Sequence, residues 1–358
     1  MRWLTAIPVY NEARHLRTVL AKVRRFSPDI LVVDDGSTDG TSREATEIVP
    51  RVQYELRVLR QEPAGPAAAR GRALRAARGG VVLFLGDDTW PAGDLLARHA
   101  EFHRRRPARS AALLGRIVPA PELGSTPFMD WLETSGLRFA YHTIRENEGL
   151  PGAFFYTSNT SAKAALVVEA GGFEGPYPYA AHEDTDLGVR MERVGMQLAY
   201  DPAALAYHYH PAGLESTLER MWAVGRSNAV LVQRFDSWPR PRRPGVRHRV
   251  KAAALAVAQA ASPRSRAVRR ATWAFLCHEA WREAFWSIAA SPGSPRIGST
   301  LAARALRDPD VNPPSPGSRH RAGGVRDAPL DAEGPERQRD QGARVAQGRP
   351  AGDREGRE

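Results

Sequence analysis

The first third of this 358-residue chain alternates two kinds of segment, and that alternation constrains the fold more than any other feature. Short apolar runs each stop at a polar or acidic cluster. Trp3–Val9 leads to Asn11-Glu12, Ile30–Val33 to Asp34-Asp35-Gly36-Ser37, and Val81–Leu85 to Gly86-Asp87-Asp88. Val52–Leu59 is a further strand candidate. Between these runs, Leu16, Val19, Leu20 and Val23 share one face of a helix predicted over Ala13–Phe26, and Gly65–Arg78 is a second helical stretch. Strands alternating with helices predict an α/β fold, a mainly parallel twisted sheet flanked by helices on both faces. Ligands of such sheets gather at the carboxyl ends of the strands. The three polar clusters are therefore expected to converge on one edge.

Residues 1–118 form this first half, and residues 119–215 a less regular second half. Residues 216–290 read as a helical extension, in which Trp273, Cys277, Trp281 and Phe285 recur at helical spacing. Residues 291–358 are expected to be a disordered tail. Residues 309–358 hold no aromatic residue and only four Val or Leu, too little apolar surface to offset the entropy of ordering.

A single cysteine, Cys277, excludes a disulfide framework. No apolar stretch approaches the roughly 20 residues that span a bilayer, and the N-terminal run is too short for a signal peptide. A cytoplasmic chain is expected. Its net charge of +11 is concentrated: residues 234–270 hold eleven Arg and Lys and one acid, Asp236. Such a patch suits an anionic membrane surface or another polyanion; the alternative is a solvated surface. The same choice applies to the Trp273–Phe285 face, which can lie in a bilayer interface or pack onto the rest of the protein.

Several positions carry candidate chemistry. Glu183-Asp184 opens a helix with Leu187, Met191 and Val194 behind it. Acids in a first turn complement the helix dipole, but Asp34-Asp35 and Asp87-Asp88 also sit at strand ends. Acidic pairs in three converging loops suit a divalent cation, Mg²⁺ or Mn²⁺, or acid–base work. In Tyr207-His208-Tyr209-His210 the histidines share one strand face and could add imidazole ligands. Arg70, near the start of its helix, could hold a phosphate.

Taken in order, these segments resemble family 2 glycosyltransferases of the GT-A fold. The resemblance rests on Ile7-Pro8-Val9-Tyr10-Asn11-Glu12, Val32–Thr41, Gly65–Arg70, Phe84–Pro91, Asn159 through Gly171-Gly172-Phe173, His182-Glu183-Asp184 and a following His, over roughly residues 1–230. It departs from the family pattern at Gly86, where the metal motif usually begins with Asp, and at Gly71, often Asn. The resemblance implies transfer of a sugar, with inversion, from a nucleoside-diphosphate sugar to an acceptor hydroxyl on a glycan, a lipid-linked molecule or a small molecule. Pro8, Tyr10, Glu12 and Asp35 would surround the nucleoside, with Asp34, Arg70 and Asp87 also in the donor site. Asp88 with His208 or His210 would hold the metal. Asp184 would be the general base, with Glu183 binding the acceptor or buttressing the base. No processive Gln-x-x-Arg-Trp motif is present, so transfer of one or a few sugars is expected. Competing readings are a nucleotidyltransferase, disfavoured because Pro8–Glu12 stands where that class carries a Gly-rich basic loop, and a relative that binds a nucleotide sugar without turnover. Nucleic-acid binding is disfavoured because the basic stretch lacks interleaved stacking aromatics.

Overall fold

The structure is a computed structural model that describes residues 3–27, 29–145, 149–173, 175, 177, 181–243, 245–287, 305–306 and 311. The expected tail at 291–358 lies outside these residues except at its three isolated positions.

Residues 4–76 form a three-stranded parallel sheet with helices on both faces. Its elements are β1 (Leu4–Val9), α1 (Ala13–Val23), β2 (Asp29–Asp34), α2 (Thr41–Ile48), β3 (Glu55–Arg60) and α3 (Gly65–Ala76), with strand order β1-β2-β3. The central strand explains the arrangement. Ile30 and Val32 pack with Leu16, Leu20, Ala45 and Ile48 of α1 and α2, while Leu31 and Val33 pack with Ala69 and Ala73 of α3. All four β2 residues are fully buried, as a continuous apolar run in a strand covered on both faces requires.

Element boundaries shift by one to three residues from the sequence reading. The α1 helix ends at Val23, leaving Phe26 exposed. The β3 strand starts at Glu55, because Val49–Arg51 turn as a short 3₁₀ helix before it.

Residues 81–208 contain β4 (Val81–Leu85), β5 (Thr89–Pro91), α4 (Leu95–Arg105), β6 (Ala111–Pro119), α5 (Pro127–Ser135), β7 (Asn159–Lys163), α6 (Ala164–Glu169), α7 (Glu183–Arg193) and β8 (Gln197–His208). Their sheet is mixed, with order β4-β7-β6-β8-β5. β6 and β8 run parallel; the other pairs are antiparallel. Between β6 and β8 the register shifts: Gly115 pairs with Asp201, but Arg116 pairs with Leu205. The fully buried Asn159 stitches this bulge by donating to the carbonyls of Arg116 and Ala204 at 3.1 and 2.9 Å. A Cβ on Gly115 would overlap the Asn159 amide, so glycine is what allows the close approach.

Helix α7 buries Leu187 and Met191 as expected, but Val194 is a correction. It lies past the helix end and is exposed, because the chain turns at Gly195 (φ +93°) and Met196 takes the buried place.

The helical extension comprises α8 (Leu214–Arg234), α9 (Val246–Ala261) and α10 (Arg266–Trp286). The recurring aromatic face of α10 is core: Trp273, Cys277 and Phe285 are buried, and Trp273 packs edge-on to Phe128 of α5. α8 and α10 approach so closely at Gly225 that a Cβ there would overlap the Trp281 carbonyl. Among the described residues, no helix is long and apolar enough to cross a membrane.

Candidate active site

A cleft of about 2480 Å³ runs between β1, the edge of the parallel sheet, and β4, the edge of the mixed sheet. Pro8, Arg70, Asp87, Asp88, Asp184, His208 and His210 line it; Tyr10, Glu12, Asp34, Asp35 and Glu183 are not among its lining residues.

At one end, Asp88 meets both histidines. β5 pairs antiparallel with β8, Thr89 opposite His208, and Tyr209 N–H donates to the Asp88 carbonyl at 2.8 Å. This pairing brings residues 120 positions apart into contact: Asp88 Oδ2 lies 3.0 Å from His208 Nε2 and 3.5 Å from His210 Nδ1. The two imidazoles stack at 5.2 Å. Desolvation opposes the charge on Asp88, but hydrogen bonds from His208 and His210 outweigh it and hold the carboxyl well below the usual carboxylate range. One carboxylate oxygen and two imidazole nitrogens lie within 4.8 Å of one another. With two imidazole nitrogens beside one carboxylate, that donor set fits Mn²⁺ better than Mg²⁺, which keeps to oxygen ligands and water.

The start of α7 also lines the cleft. His182 takes a left-handed conformation (φ +66°) and turns the chain into the helix, so Glu183 and Asp184 occupy its first turn. Their environments diverge. Asp184 is half-buried; its Oδ1 accepts from Thr185 N–H at 2.8 Å, and its Oδ2 accepts only a long 3.4 Å bond from Thr157 N–H. Glu183 is buried and paired with Arg70 at 2.9 Å, while its Oε2 has no hydrogen-bond partner. Burial and the charge of Asp184 raise the Glu183 carboxyl, and Arg70 opposes the rise. Arg70 also lies over the Phe173 ring at 5.3 Å. Burial holds the His182 imidazole down to about 4.

The first two loop clusters interlock at the end of the parallel sheet. Asn11 N–H donates to Ser37 Oγ, Glu12 N–H to Thr41 Oγ1, and Thr38 N–H to Asn11 Oδ1. Asp34 is fully buried and accepts from Ser37 N–H. Asp35 accepts from Gln61 Nε2 and from the N–H groups of Ala64 and Gly65, which ties β2 to the start of α3. Tyr10 and Glu12 are exposed beside this knot.

Sequence reasoning missed two features. Arg138 lines the cleft, pairs with Glu133 at 3.4 Å and donates to the His210 carbonyl at 3.5 Å. Its spacing from Glu133, across the turn at Gly136, matches no helical pair. The other is a buried relay behind the bulge: His99 contacts Asn159 and Ser161, and His103 contacts Ser161. The i, i+4 histidines of α4 were the available signal.

Residues 5–159 match the family profile described as Glycosyl transferase family 2. Over this stretch the chain is similar to the family 2 glycosyltransferases. Relatives extend the likeness further along the chain. The uncharacterized glycosyltransferase YfnE of Bacillus subtilis is 25% identical over 264 residues, 60% of this chain and 67% of the relative. The pre-mycofactocin glycosyltransferase of Mycobacterium tuberculosis is 27% identical over 248 residues; this chain is matched over 66% of its length and spans about half, 48%, of that relative. Among solved structures, the mannosyltransferase PcManGT of Pyrobaculum calidifontis, in complex with GDP-Man and Mn²⁺, aligns with a TM-score of 0.45 and 19% identity over 85% of this chain and 84% of that one. As a glycosyltransferase, the chain is a transferase enzyme, and its helix-flanked parallel sheet is the α/β architecture expected of the GT-A fold.

Proposed function

We propose that this glycosyltransferase moves a sugar from a nucleoside-diphosphate donor to an acceptor hydroxyl with inversion of the anomeric carbon. The observation that carries the reading is the placement of Asp184 and the Asp88–His208–His210 cluster on one cleft.

Asp88, His208 and His210 are the residues that would hold a divalent ion, Mn²⁺ for preference; when bound, it neutralises charge on the departing diphosphate. Pro8, Arg70 and Asp87 form the donor side of the cleft, with Tyr10 and Glu12 on the adjoining loop. Asp34 and Asp35 serve by holding that loop through their internal bonds. Asp184 acts as general base. Its Oδ1 is fixed by Thr185 N–H, which leaves the lightly held Oδ2 to take the acceptor proton as the hydroxyl oxygen attacks. An inverting displacement needs this one base and no second carboxylate nucleophile. Glu183, anchored by Arg70, buttresses the base and keeps the α7 start in place. The acceptor is a glycan, a lipid-linked molecule or a small molecule.

The test is Asp184→Asn. Transfer should fall by about 10²–10⁴-fold, while donor-nucleotide binding measured by calorimetry with Mn²⁺ stays near wild type. Near-normal transfer would remove Asp184 from the role of base.

A further inference from the structure

The helix α9 has two faces, and among the described residues only one has a partner. Ala252, Leu255 and Ala256 pack against the cluster that includes α10, Gln259 is buried, and His248 stacks on Phe275 at 4.8 Å. The opposite face carries Val246, Val250 and Val257, which are 69, 62 and 69% exposed. At about 100° per residue these valines fall within roughly 40° of one another. Exposed Ala253, Ala254 and Ala261 widen the strip. Exposed Arg249 borders it on one side, and exposed Arg247 and Lys251 on the other. Exposed Arg240, Arg242 and Arg243 precede the helix, and Asp236 is the one acid in residues 234–270. A pocket of about 460 Å³ opens at the same end, lined in part by Arg242, Arg247, His248, Trp281 and Arg282. Glu279 pairs with His248 and Arg282 and offsets part of the charge there.

We infer that the outward face of α9 docks on an anionic lipid bilayer, its valine strip entering the headgroup boundary and its flanking cations contacting lipid phosphates. Charge complementarity selects this occupant. An apolar strip bordered on both sides by cations is how a helix lies in a membrane interface, and each Lys or Arg near such a surface strengthens binding about fivefold. A protein partner covering the same strip would have to match six cations, Arg240 to Lys251, with no acid between them in the sequence. The inference stands apart from the transfer reading, because none of these residues lines the cleft.

The test is flotation of the full chain with vesicles of phosphatidylcholine, alone or mixed with phosphatidylglycerol. Binding is expected only to the mixed vesicles and should weaken with added salt. The triple variant R247Q/R249Q/K251Q should bind on the order of a hundredfold more weakly. Val250→Trp should show a blue-shifted emission when mixed vesicles are added, and V250D/V257D should not bind. Because these side chains are exposed, the melting temperature and donor-nucleotide binding of every variant should match wild type, which separates failure here from failure of the proposed reaction. Equal binding of wild type and triple variant, or an unshifted emission from the Val250→Trp variant, would overturn the proposal. So would a dimer that V250D/V257D dissociates, since the face would then belong to a second copy.

Discussion

Arg70→Ala should destabilise the protein in a way that depends on pH. Glu183 is only 5% exposed, and Arg70 is its ion-pair partner, at 2.9 Å. Removing the guanidinium leaves a buried carboxylate beside Asp184 with no compensating charge. Breaking a buried pair this way costs about 3–5 kcal/mol. The Arg70 side chain is 25% exposed, so water screens part of the interaction and the lower end, about 3 kcal/mol, is expected. The sign with pH follows from the raised carboxyl of Glu183. A proton binds the folded form more tightly than the unfolded one, so the stability linked to this group is greatest below the unfolded value of about 4.3 and is lost as pH rises through the folded value. Losing Arg70 lifts the folded value further. The deficit of the variant should therefore be small near about pH 4, where Glu183 takes up a proton, and full near about pH 8. Urea unfolding followed by tryptophan fluorescence across that range measures it. Adding Glu183→Gln to Arg70→Ala should recover much of the loss, because no charge then stays buried. A deficit below about 1 kcal/mol, or one that does not change with pH, would refute the reasoning.

The remaining predictions concern the cleft. Asp88→Asn should weaken Mn²⁺-dependent binding of a donor nucleotide by more than about tenfold, with little change in metal-free stability; calorimetry with and without Mn²⁺ checks this. Gly86→Asp should fail to strengthen that binding, because a Cβ at 86 would sit 2.6 Å from Thr89 Oγ1 and 3.0 Å from Asp88 Oδ1; nucleotide titration of the variant decides it. Gly188→Ala should cost at least about 2 kcal/mol and lower transfer as well. Its Cβ would overlap the Gly152 carbonyl and push α7 away, taking Glu183 and Asp184 with it; denaturation and transfer assays on one sample test both effects.

The parts of this fold that were legible in the sequence are those set by neighbours in the chain. The run Ile30–Val33 reads as a strand buried on both faces, and the structure leaves all four residues with no exposure. Val81–Leu85 and the helix beginning at Glu183 were placed from apolar runs and acidic starts. Spacing names His208 and His210 as sharing a face; their meeting with Asp88 was implied only by the family resemblance, since it depends on β5 pairing with β8. Arg70 read as a phosphate contact because nothing near it in sequence announces Glu183, 113 residues away. Asn159 read only as the start of a segment running to Gly171-Gly172-Phe173, and its bonds to Arg116 and Ala204 span more than forty residues. What sequence spacing leaves out is the partner, and here the partners decide which carboxylates stay available for chemistry.

The shift between β6 and β8 has a consequence for phase. Across it β6 advances one residue while β8 advances four, from Asp201 to Leu205. Side chains along a strand alternate with a period of two, so the odd surplus inverts the parity of everything downstream. Downstream lies Tyr207-His208-Tyr209-His210, an alternating copy of two ring types. With the surplus as it stands, both imidazoles meet Asp88, while Tyr209 turns to stack on Trp90 at 5.0 Å. With one residue fewer, the phenols would take the imidazole positions and the nitrogen donors would be carried to the other face. A surface irregularity at Pro202 and Ala203, held from beneath by Asn159, thus acts as the selector between two surfaces written into the same four residues.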